Sequence, residues 1–162
     1  MIKLLVFFIF ILFISCNSKD TTKSEMRELP SINLLLSDSI NVFNTIDIPK
    51  GKPIILFYFG AYCDHSRILM KRFLKDMDFY KNVNFYLITD DSFYDMRAFY
   101  RNFSLDQYYN IKVGIDNTSA FRKHFKANGY PYLVLYDKNG RLIETFYGEV
   151  YSRQIKKSLN IN

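Results

Sequence analysis

The run PIILFYF, Pro53 to Phe59, is apolar from end to end, with none of the charged residues that alternate along a half-solvated strand. It follows Gly51 and has strand length, as expected of a strand covered on both faces. From Ser66 the period changes, with Leu69, Met70, Phe73, Leu74 and Met77 at helical spacing. VNFYLIT, Val83 to Thr89, is a second buried strand. Asp90, Asp91 and Ser92 then offer N-caps for a helix carrying Phe93, Met96, Phe99, Tyr100 and Phe103. IKVGI (Ile111 to Ile115) is a third strand, and Asn117-Thr118 begin a short helix with Phe121 and Phe125 on one face. PYLVLY (Pro131 to Tyr136), the turn Asp137-Lys138-Asn139-Gly140 and RLIETFYG form a terminal hairpin, and Ser152 to Leu159 a last helix. INLLLSDSINVF, ahead of all these, reads as another hairpin. Strands alternating with helices and closing on a hairpin predict an α/β sandwich around a mixed sheet.

The N-terminus is of another kind. Lys3 precedes an unbroken apolar stretch from Leu4 to Ile14, followed by Ser15 and Cys16. A spanning helix needs about 20 apolar residues, so this is the pattern of a cleaved signal sequence. FISC resembles the lipobox of bacterial lipoprotein signal peptides, with Phe13 at a position where Leu is usual. That resemblance implies cleavage before Cys16 and lipidation of its thiol. Residues 1–15 are then a signal peptide, 16–30 a polar tether and 31–162 the folded domain. The chain is expected outside the cytoplasm of a bacterium, membrane-anchored and facing the periplasm or cell surface. The net charge of +6 is spread out, with no basic run that would mark a nucleic-acid groove.

Only two cysteines are present, so lipidation of Cys16 leaves Cys63 as a lone thiol. It stands in FGAYCDHSRILM, where the strand gives way to the helix, and Ser66 occupies the place at which a second cysteine would complete a redox pair. Burial as a small apolar residue, a partner on another molecule and a reactive thiol are all open.

GKPIILFYFGAYCDHSR and NGYPYLVLYDKNGRLIETFYGEV are similar to the two halves of thioredoxin-like proteins. The strand-helix unit between Val83 and Ile115 and the hairpin before Gly51 resemble the TlpA/ResA branch, which is membrane-tethered and extracytoplasmic. The resemblance covers roughly Ile32 to Leu159 and implies a three-layer sandwich with a central mixed sheet, an N-terminal hairpin and one inserted strand-helix unit. It implies that Cys63 lies at the start of the helix near Ser66, that Pro131 is cis and faces it, and that Tyr62, Tyr130 and Pro131 line a groove for a partner peptide. No cofactor and no metal are expected. The departures are specific: Ser66 for the second cysteine, Phe57 and Leu69 where relatives carry acids, and Tyr62 for the usual Trp.

A helix start favours a thiolate, which is both the nucleophile and the better leaving group. Cys63-Asp64-His65 is similar to the C-P-H-C motif of DsbA-type oxidants, in which the histidine stabilises the thiolate. Ser66 can hydrogen-bond a sulfur but cannot attack a disulfide. The expected activity is therefore mixed-disulfide formation by a single thiol with a thiol- or disulfide-bearing protein or a small thiol, as in CxxS members of the protein disulfide isomerase group. The expected site is Cys63, His65 and Ser66, in a monomeric domain. The alternative is a non-catalytic binding module of the same fold with a degenerate site. Cys63, His65 and His124 match no zinc spacing, and His124 is expected on the solvated side of its helix. A peroxiredoxin would carry Pro and Thr where this chain has Leu56 and Gly60.

Overall fold

A computed structural model describes residues 28–161. The signal sequence, Cys16 and most of the tether lie outside the described residues. At the tether's end Leu29 already packs against the domain and Pro30 is buried.

Seven strands form one sheet: β1 (Asn33–Leu36), β2 (Val42–Asn44), β3 (Ile54–Tyr58), β4 (Asn84–Thr89), β5 (Ile111–Ile115), β6 (Tyr132–Tyr136) and β7 (Leu142–Tyr147), in spatial order β2-β1-β5-β4-β3-β6-β7. The middle trio β5-β4-β3 is parallel. The hairpins β1–β2 and β6–β7 extend it antiparallel on either side. The sequence order of alternating strands and helices predicts this mixed sheet. Four α-helices among the described residues complete the fold: α1 (Asp64–Lys75), α2 (Phe93–Asn102), α3 (Ala120–Phe125) and α4 (Ser152–Ser158).

The pleat sorts β3 into two cores. Side chains alternate across a strand, so Ile55 and Phe57, with Phe59 beyond the strand end, join one cluster and Ile54, Leu56 and Tyr58 the other. The first packs against Leu69, Met70 and Phe73 of α1, Met96 and Phe99 of α2 and Ile155 of α4. The second meets Phe121 and Phe125 of α3, together with Ile32 and Ile48 from segments that cross that face. Each large side chain removed from water in this way contributes about 1.5–3 kcal/mol.

Several boundaries differ from the sequence reading. Helix α1 starts at Asp64, because Cys63 takes the extended N-cap conformation itself (φ −74°, ψ 116°). Ser92, rather than either aspartate before it, caps α2 by accepting from the Asp95 N–H at 3.2 Å. Helix α3 starts at Ala120, after a left-handed Ser119, and the buried carboxylate of Asp116 accepts from the Phe121 N–H at 2.7 Å. In the β6–β7 turn Gly140 has φ +79°, a left-handed conformation that costs glycine little. His124 is not on a solvated side. It is half-buried, with its ring centroid 4.6 Å from that of Phe125 and the two rings nearly perpendicular.

Candidate functional site

Where β3 ends, the chain turns sharply before entering α1. The Cys63 N–H donates to the Gly60 carbonyl at 3.1 Å, and the Arg67 N–H donates to the Cys63 carbonyl at 3.0 Å as the helix begins. This places Cys63, half-buried, at the mouth of the helix, where the first backbone N–H groups have no partner within it. It is the only cysteine among the described residues.

The loop before β6 closes over the thiol. The Tyr130–Pro131 peptide bond is cis, and the Cys63 Sγ–H donates to the Tyr130 carbonyl at 3.8 Å. The Tyr130 ring fits because residue 60 is glycine. A Cβ there would stand 2.8 Å from Tyr130 Cδ2 and 3.2 Å from Cys63 Cβ. Cys63, Tyr130 and Pro131, distant in sequence, are therefore brought together.

The other expected members sit differently. Tyr62 is 67% exposed at the rim. The His65 side chain is exposed and makes no hydrogen bond among the described residues. Ser66 is fully buried, and its Oγ accepts from the Gly60 N–H at 3.3 Å. It secures the turn before Cys63 rather than hydrogen-bonding the sulfur. Beneath the thiol, Phe57 and Leu69 fill the positions of the absent acids with apolar volume, at 0% and 2% exposure. Asp116 is the only fully buried carboxylate among the described residues, and it is occupied in capping α3.

A polar set that the sequence reading missed surrounds this centre. The Asp91 carboxylate accepts from the Ala61 N–H at 2.6 Å, and the Arg67 guanidinium donates to the Ala61 carbonyl at 3.1 Å. On the other side the Tyr130 hydroxyl donates to Asp90. Arg122 meets Asp90 at 3.3 Å and donates from Nε to the Tyr58 hydroxyl at 3.1 Å. Its guanidinium lies over the Tyr58 and Tyr130 rings at 5.8 and 5.9 Å, the range of cation–π attraction. Burial first, and then the hydrogen bond to Asp90, raises the Tyr130 hydroxyl above the ordinary phenol range and keeps it a protonated donor. Burial likewise raises that of Tyr58. One signal was available: Asp90-Asp91-Ser92 follows the C-terminal end of a parallel strand, where sites in such sheets gather.

The arrangement presents one accessible thiol beside a backbone edge, with no second thiol and no proton acceptor in the core below. No group of His, Cys, Asp and Glu among the described residues is arranged to hold a metal, and no helix among them is long and apolar enough to cross a membrane.

A family model described as thioredoxin-like matches residues 51–142. Among solved structures, the chain resembles a thiol-disulfide oxidoreductase from Bacteroides fragilis at 15% identity, over 82% of this chain and 100% of that one, with a TM-score of 0.66. It also resembles a secreted disulfide oxidoreductase of Mycobacterium tuberculosis, homologous to DsbE of E. coli, at 14% identity over 79% of this chain and 93% of that one, with a TM-score of 0.64. At these identities the likeness is one of fold. No curated protein matches the chain.

Proposed function

Because the chain belongs to the thioredoxin-like family, whose fold it shares with thiol-disulfide oxidoreductases, we propose that Cys63 is a working thiol that forms mixed disulfides and cannot resolve them. The observation that carries this reading is the seat of Cys63: at the start of α1, accessible, and facing the Tyr130 carbonyl of the cis-proline loop. In the step proposed, the Cys63 thiolate attacks one sulfur of a partner disulfide. That S–S bond breaks, a Cys63–partner disulfide forms, and the other partner sulfur leaves as a thiolate that takes up the proton Cys63 lost. Ser66 offers no sulfur for a second exchange, so release awaits an external thiol. Tyr62, exposed beside Cys63, together with Tyr130 and Pro131, forms the groove that receives the partner. His65 is proposed to favour the thiolate from the helix start.

The partner class is a protein or small molecule bearing a thiol or disulfide. Lipidation of Cys16 would hold a monomeric domain at an extracytoplasmic membrane surface. Cys16→Ala is then expected to move the protein from the membrane fraction to the soluble fraction, or to leave it unprocessed. A wild-type protein that is wholly soluble would remove the anchor from the proposal.

The exchange reading is tested by intact-mass measurement after incubation with glutathione disulfide. One adduct on Cys63 is expected, stable until dithiothreitol is added and absent in Cys63→Ser. An unreactive Cys63 favours the second reading, a binding module of the same fold. The apolar Phe57 and Leu69 under the thiol are the observation that speaks for it.

A further inference from the structure

The turn that follows β4 touches both halves of the site. Asp91 holds the loop before Cys63 through the Ala61 N–H, and its neighbour Asp90 holds the opposite loop through the Tyr130 hydroxyl. Arg122 completes the second grip from α3: it pairs with Asp90, donates to Tyr58 and covers both tyrosine rings. Packing does not require this elaboration. Tyr58 already stacks on Phe121 at 4.7 Å, and the Tyr130 ring rests 4.7 Å from that of Tyr58. The polar contacts add direction. A ring wedged over Gly60 and tied at its hydroxyl leaves its residue little freedom to rotate, so the Tyr130 carbonyl stays turned toward Cys63 Sγ.

We propose that Asp90 and Arg122 are positioning residues for exchange at Cys63, and that they act through the Tyr130 side chain to hold the Tyr130–Pro131 backbone edge where it can align the peptide flanking an incoming disulfide. The proposal rests on the reading of Cys63 as an exchanging thiol. Asp90 supplies the acceptor. Arg122 balances its charge, since a half-buried carboxylate stripped of its cation is costly. The contribution is to orientation: exchange needs three sulfurs in line, and a fixed backbone edge removes rotational freedom that the bimolecular reaction would otherwise have to lose.

The test uses the full chain and two reagents that report different things. The oxidised dimer of acetyl-Gly-Cys-Gly-amide is an uncharged peptide disulfide, so removing Asp90 or Arg122 does not change its electrostatic attraction. Iodoacetamide needs only the thiol. Tyr130→Phe deletes the hydroxyl and keeps the ring, and Asp90→Asn removes the charge. A hydrogen bond to a charged group has a net worth that corresponds to roughly a tenfold change in rate. Tyr130→Phe is therefore expected to form the peptide adduct about tenfold more slowly than wild type, and Asp90→Asn, which keeps a neutral acceptor, to be slowed less, with alkylation of both unchanged within about twofold. Because both substitutions act on the one Tyr130–Asp90 link, Tyr130→Phe by deleting the donor and Asp90→Asn by removing the acceptor's charge, the double variant should be no slower than the slower single.

A wild type that forms no peptide adduct overturns the exchange reading, and this proposal with it. A wild type that reacts while Tyr130→Phe keeps the full rate overturns the positioning role alone. So does an equal loss with both reagents, which would mean that the thiol itself had changed. So does a double variant whose losses multiply. Should Asp90→Asn not fold, the ratio of the two rates in Tyr130→Phe decides the matter.

Discussion

The two faces of β3 treat the same cysteine in opposite ways. On the α1 side, Phe57 and Leu69 are sealed in a core that offers the thiol no proton acceptor. On the α3 side, Tyr58 begins a polar chain through Arg122 and Asp90 to Tyr130, whose carbonyl meets the sulfur. If Cys63 works as proposed, the contrast separates two tasks that a two-thiol enzyme performs together. Resolving a mixed disulfide needs a second sulfur and somewhere for its proton to go, and that side has become plain core. Presenting a partner needs a held backbone edge, and that side is heavily braced.

The contrast can be attacked first through stability. Phe57→Ala should leave a cavity under α1 and cost about 3–5 kcal/mol, read as a drop in the urea midpoint at constant slope. Loss of only a few tenths would mean that Phe57 is not the packed floor described here. Asp91→Ala, which removes the acceptor for the Ala61 N–H, should cost less, about 1–3 kcal/mol. It should also loosen the loop before Cys63, seen as faster amide exchange at Ala61 while β3 itself stays protected. Uniform exchange throughout the sheet would show that Asp91 does not act locally.

The smallest effect at neutral pH belongs to two buried tyrosines, one in each core. Burial lifts Tyr80, in the cluster under α1, and Tyr86, in the cluster on the α3 face, to about 12 from an ordinary 10.0. The unfolded chain ionises first, so stability should be level up to about pH 10 and fall as the pH rises toward 12. Each tyrosine contributes at most about 1.4 kcal/mol per pH unit. Tyr80→Phe and Tyr86→Phe should each flatten that alkaline limb to a similar degree, because both raised values have burial as their main cause. A limb unchanged in either variant would contradict the burial assigned to that face.

Much of this architecture could be read from residue order. Apolar runs such as Pro53–Phe59 and Val83–Thr89 sit at or within one residue of β3 and β4, because a strand covered on both faces leaves an unbroken signature. Helix starts were less legible, since caps depend on which side chain wins a backbone N–H. Cys63 became the N-cap residue through its backbone conformation alone, with no cap bond from its side chain, and Asp116 rather than Asn117 or Thr118 took the Phe121 N–H. At the site, the cysteine and the proline loop were legible through resemblance. The braces were not, because Asp90 and Tyr130 lie 40 residues apart and Ala61 and Asp91 lie 30 apart. In the sequence Asp90 and Asp91 read only as cap candidates and Arg122 carries no signal; the fold half-buries the two aspartates and lays Arg122, itself still exposed, over the Tyr58 and Tyr130 rings. Ser66 illustrates the same limit from the other direction. Its type suggested a partner for sulfur, and its burial made it a partner for the Gly60 backbone.

The separation of presenting from resolving is tested most directly by dithiothreitol-driven reduction of insulin, comparing wild type with Ser66→Cys. Ser66 is buried one helical turn beyond Cys63, so a sulfur in its place is set to attack the Cys63 mixed disulfide intramolecularly, where effective concentrations are very high. Wild type is predicted to show no turnover above background. Ser66→Cys is predicted to show clear turnover, held below that of a two-thiol relative by the missing acids at positions 57 and 69. Turnover by wild type, or a Ser66→Cys protein that folds, forms its disulfide and stays inert, would contradict the claim that one missing sulfur separates this site from a complete exchange centre.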